Sequence, residues 1–417
     1  MFFSNHDKIR LRTLAKRVRE FTQDPQNSEK RRQWTEHTSM RGGYPPIFVS
    51  PEGAWSEILP YTSLRCGDES ARRLEYDLLQ RIFRAEHIKD DVPTEDTVMI
   101  RKYRLPVNEC RGVQFERIPS TQPNGAWKYK PVIDKPADWK KLKNPVFEYD
   151  EAALAAQYEA VRDAVGDILS VRLTGCNDFS FHLMHVYCTF RGLENMLEDL
   201  ILEPNMVHET MHFLTEGYED LLRQMETAGF ISHNNDGTYH YTGGLGYTDS
   251  LPGQECGEKA GLQDVWGAAE AQELSCVSPE MHEEFALRYE RRLLANFGLN
   301  GYGCCDDLTK KLGYVKKIKN LRRVGISPWA DLESCADQLG HDYIMTWKPQ
   351  PAYLAGEEYD DAFMENYLTE SLRKSKHGYV EIVLRDTHTC RGEGQRFTRF
   401  VESARRAIQT VYGPAQD

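Results

Sequence analysis

Between Ile47 and the C-terminus, short apolar runs alternate with stretches of helical period, and this rhythm constrains the fold more than any other feature of the chain. The runs Ile47–Val49, Thr97–Tyr103, Ile168–Leu173, Phe230–His233, Leu299–Cys305, Arg323–Ile326, Tyr343–Trp347 and Tyr379–Leu384 read as strands. Helical spacing fills the gaps: Ser70–His87, 151–164, a long stretch over 179–229 broken near Pro204, a helix opened by Ser278-Pro279, and then Asp331–Leu339, 358–375 and 396–411. Strands alternating with helices predict a parallel sheet. The expected fold is α/β, a (β/α)8 TIM barrel. The rhythm alone does not separate a closed barrel from an open doubly wound sheet. Residues 5–40 predict two further helices, with Leu11, Leu14, Ala15 and Val18 on one face of the first. Residues 1–44 are therefore an N-terminal helical extension and 45–417 the barrel. Within it, 105–148 is rich in Pro, Lys and Trp and has alternating pieces such as Val113–Arg117. It reads as an inserted hairpin and loop that covers the barrel mouth or forms an interface.

The chain of 417 residues has the length of an elaborated barrel, and its 40% apolar content suffices for a large core. A net charge of −12 disfavours nucleic acid and anionic membrane as partners. The apolar start Met1–Phe3 is too short for a signal sequence, and no stretch matches a membrane span, so a cytoplasmic protein is expected. Ten cysteines without an export signal are then reduced, as core residues or metal ligands. Neither GxGxxG nor a P-loop follows any strand. Gly244-Leu245-Gly246 lacks a third glycine and reads as a turn.

Barrel active sites lie at the C-terminal ends of the strands. Those ends carry Ser50-Pro51-Glu52, Arg101, Thr174, Asn234-Asn235, Cys304-Cys305-Asp306, Ser327-Pro328-Trp329, Lys348 and Asp386-Thr387-His388. Cys304, Cys305 and His388 are candidate zinc ligands, since zinc takes sulfur and nitrogen donors; Cys390 is an alternate. Adjacent strand residues point to opposite faces, so only one of Cys304 and Cys305 should face the axis unless the chain already turns there. Buried free thiols beside a structural histidine are the competing reading. Asp306 and Asp386 are candidate catalytic acids. Arg101, Asn234, Tyr302, Trp329 and Lys348 are candidate substrate-binding residues. Arg101 and Lys348 equally suit rim salt bridges, and Tyr302, Trp329 and Tyr247 equally suit the core. His208-Glu209-Thr210-Met211-His212 matches HExxH, with Glu216 or Glu219 as a third ligand, but it sits on a helix away from any strand end. His182 and His185 read as ordinary core or surface residues.

The run Asn300–Pro351 (NGYGCCDD…NLRRVGISPWADLESCADQLGHDYIMTWKPQP) resembles the later strand–helix units of the uroporphyrinogen decarboxylase superfamily. RGLENMLEDLILEPNMVHETMHFLTEGYEDLL is similar to that superfamily's middle helical stretch, which makes the HExxH match accidental. The resemblance implies a (β/α)8 barrel. True decarboxylases of the superfamily carry a Met-Arg-Gln-Ala-Gly-Arg run after the first strand to grip carboxylates. Here the place reads Val49-Ser50-Pro51-Glu52-Gly53-Ala54, without the arginines and with an acid. The other branch contains zinc methyltransferases with His-x-Cys at one strand end and a Cys after the last strand. Here Tyr302-Gly303-Cys304 fills the first place, and His388 or Cys390 lies near the second. The resemblance thus implies a methyltransferase moving a methyl group between a small-molecule donor or acceptor and a corrinoid (cobalamin) protein, with zinc as cofactor and Asp306 or Cys305 completing its shell. The 105–148 insertion is the expected docking surface or lid, and a homodimer the expected assembly. The alternatives are a metal-free decarboxylase or lyase using Arg101, Lys348 and Asp386 on an anionic substrate, and a non-catalytic tetrapyrrole- or corrinoid-binding protein.

Overall fold

The computed structural model describes residues 3–102, 113, 116–121, 128–147, 149–253 and 259–414. Its strands are β1 (Ile47–Val49), β2 (Thr97–Arg101), β3 (Arg117–Ile118), β4 (Lys128–Tyr129), β5 (Ser170–Thr174), β6 (Ser180–Phe181), β7 (Trp266–Ala269), β8 (Leu299–Tyr302), β9 (Leu321–Ile326), β10 (Ile344–Trp347) and β11 (Tyr379–Leu384). Seven form one sheet in the order β1-β11-β10-β9-β8-β7-β6, with every pairing parallel. From β7 to β11 each strand lies beside its predecessor, and the first pairs with the last, Phe48 opposite Val383. That singly wound order is barrel-like; a doubly wound sheet reverses direction at a switch point. Closure into a ring is not seen among the described residues. The outer edge of β1 is capped instead, because the amides of Ile47 and Val49 donate to the carboxylates of Asp91 and Asp90 at 2.8 and 3.0 Å.

β2 and β5 form a separate parallel pair. They share a second core with the helices Asn5–Thr22, Glu69–Phe83 and Glu151–Val165, through Leu11, Leu14, Val18, Leu74, Leu78, Val98, Ile100, Val161 and Val165. The first of these helices forms because Leu11, Leu14, Ala15 and Val18 recur at helical spacing and the Ser4 hydroxyl accepts from the Asp7 amide. Within the expected insertion, β3 and β4 pair antiparallel, Arg117 opposite Tyr129. Gln114 and Phe115 of the alternating piece lie outside the described residues, as does Tyr103 at the end of the expected second strand. Residues 128–147 run along the helices Leu183–Arg191 and Pro204–Thr227: Val132 donates to the Phe190 carbonyl, and Trp139 Nε1 to Glu209 at 2.7 Å. None of the described helices is long and apolar enough to cross a membrane.

The faces of the large sheet differ. Val324, Ile326, Met345, Trp347, Val380, Ile382 and Leu384 join the main hydrophobic core. Alternate residues Arg323, Thr346 and Glu381 point the other way and are buried too, with Arg323 Nε 3.0 Å from Glu381 Oε1. A loop over 238–247, pinched by a bridge between Tyr239 and Leu245, covers that second face. Its glycines permit the approach. A Cβ on Gly243 would stand 2.1 Å from Thr346 Cγ2, and one on Gly244 2.7 Å from the Glu381 carboxylate; both take positive φ. The turn expected at Gly244–Gly246 is therefore the interior lining of the sheet.

Two expected boundaries shift with consequences for the site. Phe230–His233 yields only an isolated bridge from Ile231 to Cys176. Conversely, β7, read from the sequence as neither strand nor helix, is a full member of the sheet, and β6 lies where the long helical stretch was expected to begin. β7 reads Trp-Gly-Ala-Ala, with no β-branched residue to mark it. Gly267 is needed there because a Cβ would meet the Phe297 ring at 2.6 Å.

Candidate active site at the strand ends

At the end of β8 the strand alternation breaks. Tyr302 points towards the helices, its hydroxyl 2.8 Å from Glu290 Oε2 and 2.9 Å from His282 Nε2. Gly303 then adopts φ +96°, where a Cβ would come 2.7 Å from Leu308 and 3.0 Å from the Gly325 carbonyl oxygen. This turn brings the next two side chains to one place: the Sγ atoms of Cys304 and Cys305 are 3.3 Å apart. Cys305 Sγ lies 3.5 Å from Asp386 Oδ2, and Cys304 Sγ 3.8 Å from the Tyr241 hydroxyl. Cys304 is buried and Cys305 half-buried.

Two cations stand beside the pair. Lys348 Nζ, at the end of β10, donates to the Cys304 carbonyl oxygen at 3.0 Å. Arg385, at the end of β11, donates to the Tyr239 hydroxyl at 3.1 Å and the Tyr241 carbonyl at 2.9 Å, and its guanidinium packs on the Tyr241 ring. Its Nε is 3.5 Å from Glu52 Oε1 and 3.4 Å from Asp386 Oδ1. The Cys305 hydrogen bond, outweighing burial and aided by Lys348 and Arg385, holds the Cys304 thiol well below the usual thiol range. The same bond, with burial, keeps Cys305 protonated. The surroundings thus favour the negative charge on Cys304 and the proton on Cys305.

A second acidic group lies behind it. Asp306 is buried, neither of its carboxylate oxygens has a hydrogen-bond partner among the described residues, and Lys311 Nζ is 3.8 Å away. Burial pushes its pKa up to about 6, against the pull of Lys311. Next to Tyr241 stands His182, ring centroids 4.2 Å apart, with His182 Nδ1 2.7 Å from Glu270 Oε1. His182 and Glu270 directly follow β6 and β7. Beside Arg385, Glu52 and Asp386 take φ +44° and +59°, left-handed conformations costly for residues with a side chain. Such strain tends to gather at functional sites. The arrangement offers a nucleophilic or ligating thiolate, a carboxyl able to hold a proton near neutral pH, and paired cations.

Of the sequence-derived candidates, the fold gathers Cys304, Cys305, Asp386 and Lys348, with Asp306 close behind. It does not bring in the others. Arg101 is exposed on β2, where it acts on Asp178. Asn234 is fully buried, and its amide bonds the backbone of Asn177 and Trp266. Tyr302 faces the helices. Trp329 is exposed at the surface. His388 is exposed, and its backbone packs on Gly53. The Cys390 amide and thiol are taken by Glu57. In HExxH, His208 meets Tyr289 and Glu284, while His212 meets Glu216 and the Arg292 guanidinium, which is no metal shell. His182, Glu270, Tyr239, Tyr241 and Arg385 are site residues that sequence reasoning missed. The alternation Tyr239-His240-Tyr241 before two glycines was a hairpin signal that could have flagged the tyrosines.

The expected zinc is not matched by a donor set. Among the described residues no group of three or more His, Cys, Asp and Glu side chains is placed to hold a metal ion. Tetrahedral zinc with sulfur at about 2.3 Å needs its sulfurs roughly 3.8 Å apart, wider than the 3.3 Å here. No protein-family model matches the chain, and no curated protein matches it significantly.

Proposed function

We propose that the chain is an enzyme whose active centre is the rim around Cys304, on a fold that completes a (β/α)8 barrel, and that it transfers a methyl group between a small molecule and a corrinoid protein. The observation that carries the reading is the buried Cys304 sulfur, 3.3 Å from Cys305 Sγ, with Lys348 and Arg385 beside the pair at the C-terminal end of a singly wound parallel sheet, surroundings that lower the Cys304 pKa. Barrel enzymes place their chemistry at that end. A thiolate that stays charged at neutral pH is suited to take or release a methyl group. The reaction class is supplied by the resemblance of Asn300–Pro351 to the uroporphyrinogen decarboxylase superfamily, with Cys304 standing where the methyltransferase branch has the Cys of its His-x-Cys. In this reading Arg385 and Tyr241 orient the substrate, the tyrosines of the 238–247 loop keep water from the sulfur, and Asp306 supplies or accepts a proton. The corrinoid protein docks over the open rim near Glu52 and Asp386.

The test is to incubate the purified chain with reduced cobalamin and methoxylated aromatics, methylamines or methyl thioethers, and to follow methylcobalamin by its visible spectrum. Turnover lost in Cys304→Ser and kept in Arg101→Ala supports the reading; equal turnover in Cys304→Ser and wild type removes it. A second reading, metal-free decarboxylation of an anionic substrate, is favoured by the two cations beside the thiols. It expects carbon dioxide release that survives strong chelation.

A further inference from the structure

We propose that Cys304 and Cys305 are an oxidation site for small hydroperoxides and close reversibly to a disulfide between adjacent residues. The inference rests on the geometry of the pair and not on the methyl-transfer reading. The sulfurs already stand at 3.3 Å, so a bond of about 2.05 Å needs a closure of only about 1.3 Å. Ordinary strand geometry would send the two side chains to opposite faces; the turn at Gly303, φ +96°, is what sets them together. Cys305 is half-buried, so the pair is reached from solvent through the thiol. Asp386, 3.5 Å from Cys305 Sγ, is placed to receive its proton.

The chemistry balances in two steps. The Cys304 thiolate attacks one oxygen of the hydroperoxide. The O–O bond breaks, an alcohol or water leaves after taking up a proton, and Cys304 becomes a sulfenic acid. Cys305, losing its proton to Asp386, then attacks the Cys304 sulfur. The S–S bond forms, the S–O bond breaks, and the departing hydroxide takes a proton and leaves as water. The cysteines lose two electrons and the peroxide gains them. Neighbouring Cα atoms across a trans peptide are about 3.8 Å apart, closer than the roughly 4.4–6.8 Å of common disulfides. The product is therefore strained and easily reduced by thiols, which makes the site reversible.

The molecule carries its own controls. Burial pushes the thiols of Cys66 up to about 12 and of Cys188, Cys335 and Cys390 up to about 11. The experiment treats the reduced full-length chain with hydrogen peroxide and reads each cysteine by peptide mass spectrometry. The peptide containing Cys304 and Cys305 should lose two hydrogens at least about tenfold faster than any control cysteine is modified, and dithiothreitol should restore it. In Cys305→Ser, which keeps a hydrogen-bond donor, the sulfenic acid persists and a dimedone adduct appears on Cys304. The wild-type measurement stands alone if the variant does not fold. Modification of Cys304 no faster than Cys66, or a disulfide joining either residue to another cysteine, overturns the proposal, whatever the methyl-transfer assay shows.

Discussion

Two buried carboxylates, one in each core, show how differently the regions treat charge. Glu75, on the helix of the β2–β5 layer, is fully buried but surrounded by donors: the amides of Arg65 and Cys66, each at 2.8 Å, and Arg10 Nε at 2.7 Å. Burial alone would raise its pKa, yet these bonds win and lower it. Asp306, at the rim of the large sheet, is equally buried but has no close donor, only Lys311 Nζ at 3.8 Å, and burial wins. Satisfied, a buried acid holds a structure together; unsatisfied, it costs stability and retains a proton that chemistry can use. The same contrast runs through the thiols. Cys66 beside Glu75 is pushed up to about 12, while Cys304 beside Lys348 and Arg385 is brought down.

The contrast predicts mutational effects of opposite sign. Glu75→Ala strands two buried amides and the Arg10 guanidinium, and should lower the unfolding free energy by about 3–4 kcal/mol in a urea titration at neutral pH. A loss under about 1 kcal/mol would mean that Glu75 is not the hub of its layer. Because the folded-state pKa of Glu75 is depressed, its contribution is present above the unfolded value and fades as pH falls through the folded one. Asp306 has the reverse sign. Its folded pKa, about 6, lies above the unfolded value, so stability is greatest below the unfolded pKa and is lost as pH rises through about 6. Asp306→Asn should therefore stabilise the chain at pH 8 by about 2–3 kcal/mol and leave it unchanged near pH 4. A variant less stable at both pH values would sink the account of an unsatisfied acid. The smallest effect sharpens the boundary: Arg101→Ala, on an exposed strand end of the β2–β5 layer, should change stability by less than about 0.5 kcal/mol and leave turnover intact.

Much of the large sheet was legible because its strands are marked. Tyr379–Leu384 and Arg323–Ile326 are rich in Val and Ile, and Ser278-Pro279 announces a helix that does begin there, the Ser278 hydroxyl accepting from Met281. Marking failed where packing asks for small residues. Gly267 in β7 yields to Phe297, so the strand that Glu270 follows had no pattern to show, and His182 was read as an ordinary residue because two-residue β6 sits beside a stretch with helical period. The meeting of Cys304 and Cys305 depends on one φ angle at Gly303, which composition does not encode. Tyr302 shows the opposite limit: its place at the end of β8 was read from the sequence, but only contacts reveal that it is committed to holding the fold.

The central claim is that Cys304 is a thiolate at neutral pH. Thiolate absorbance in the ultraviolet, taken as the difference between wild type and Cys304→Ser in the reduced folded protein, reads it without requiring a reagent to enter the rim. The account predicts about one thiolate per chain already present at pH 7, disappearing only on acidification below about pH 6. A difference signal that is absent at pH 7 and rises only between about pH 8 and 9.5, as for an ordinary thiol, would contradict it.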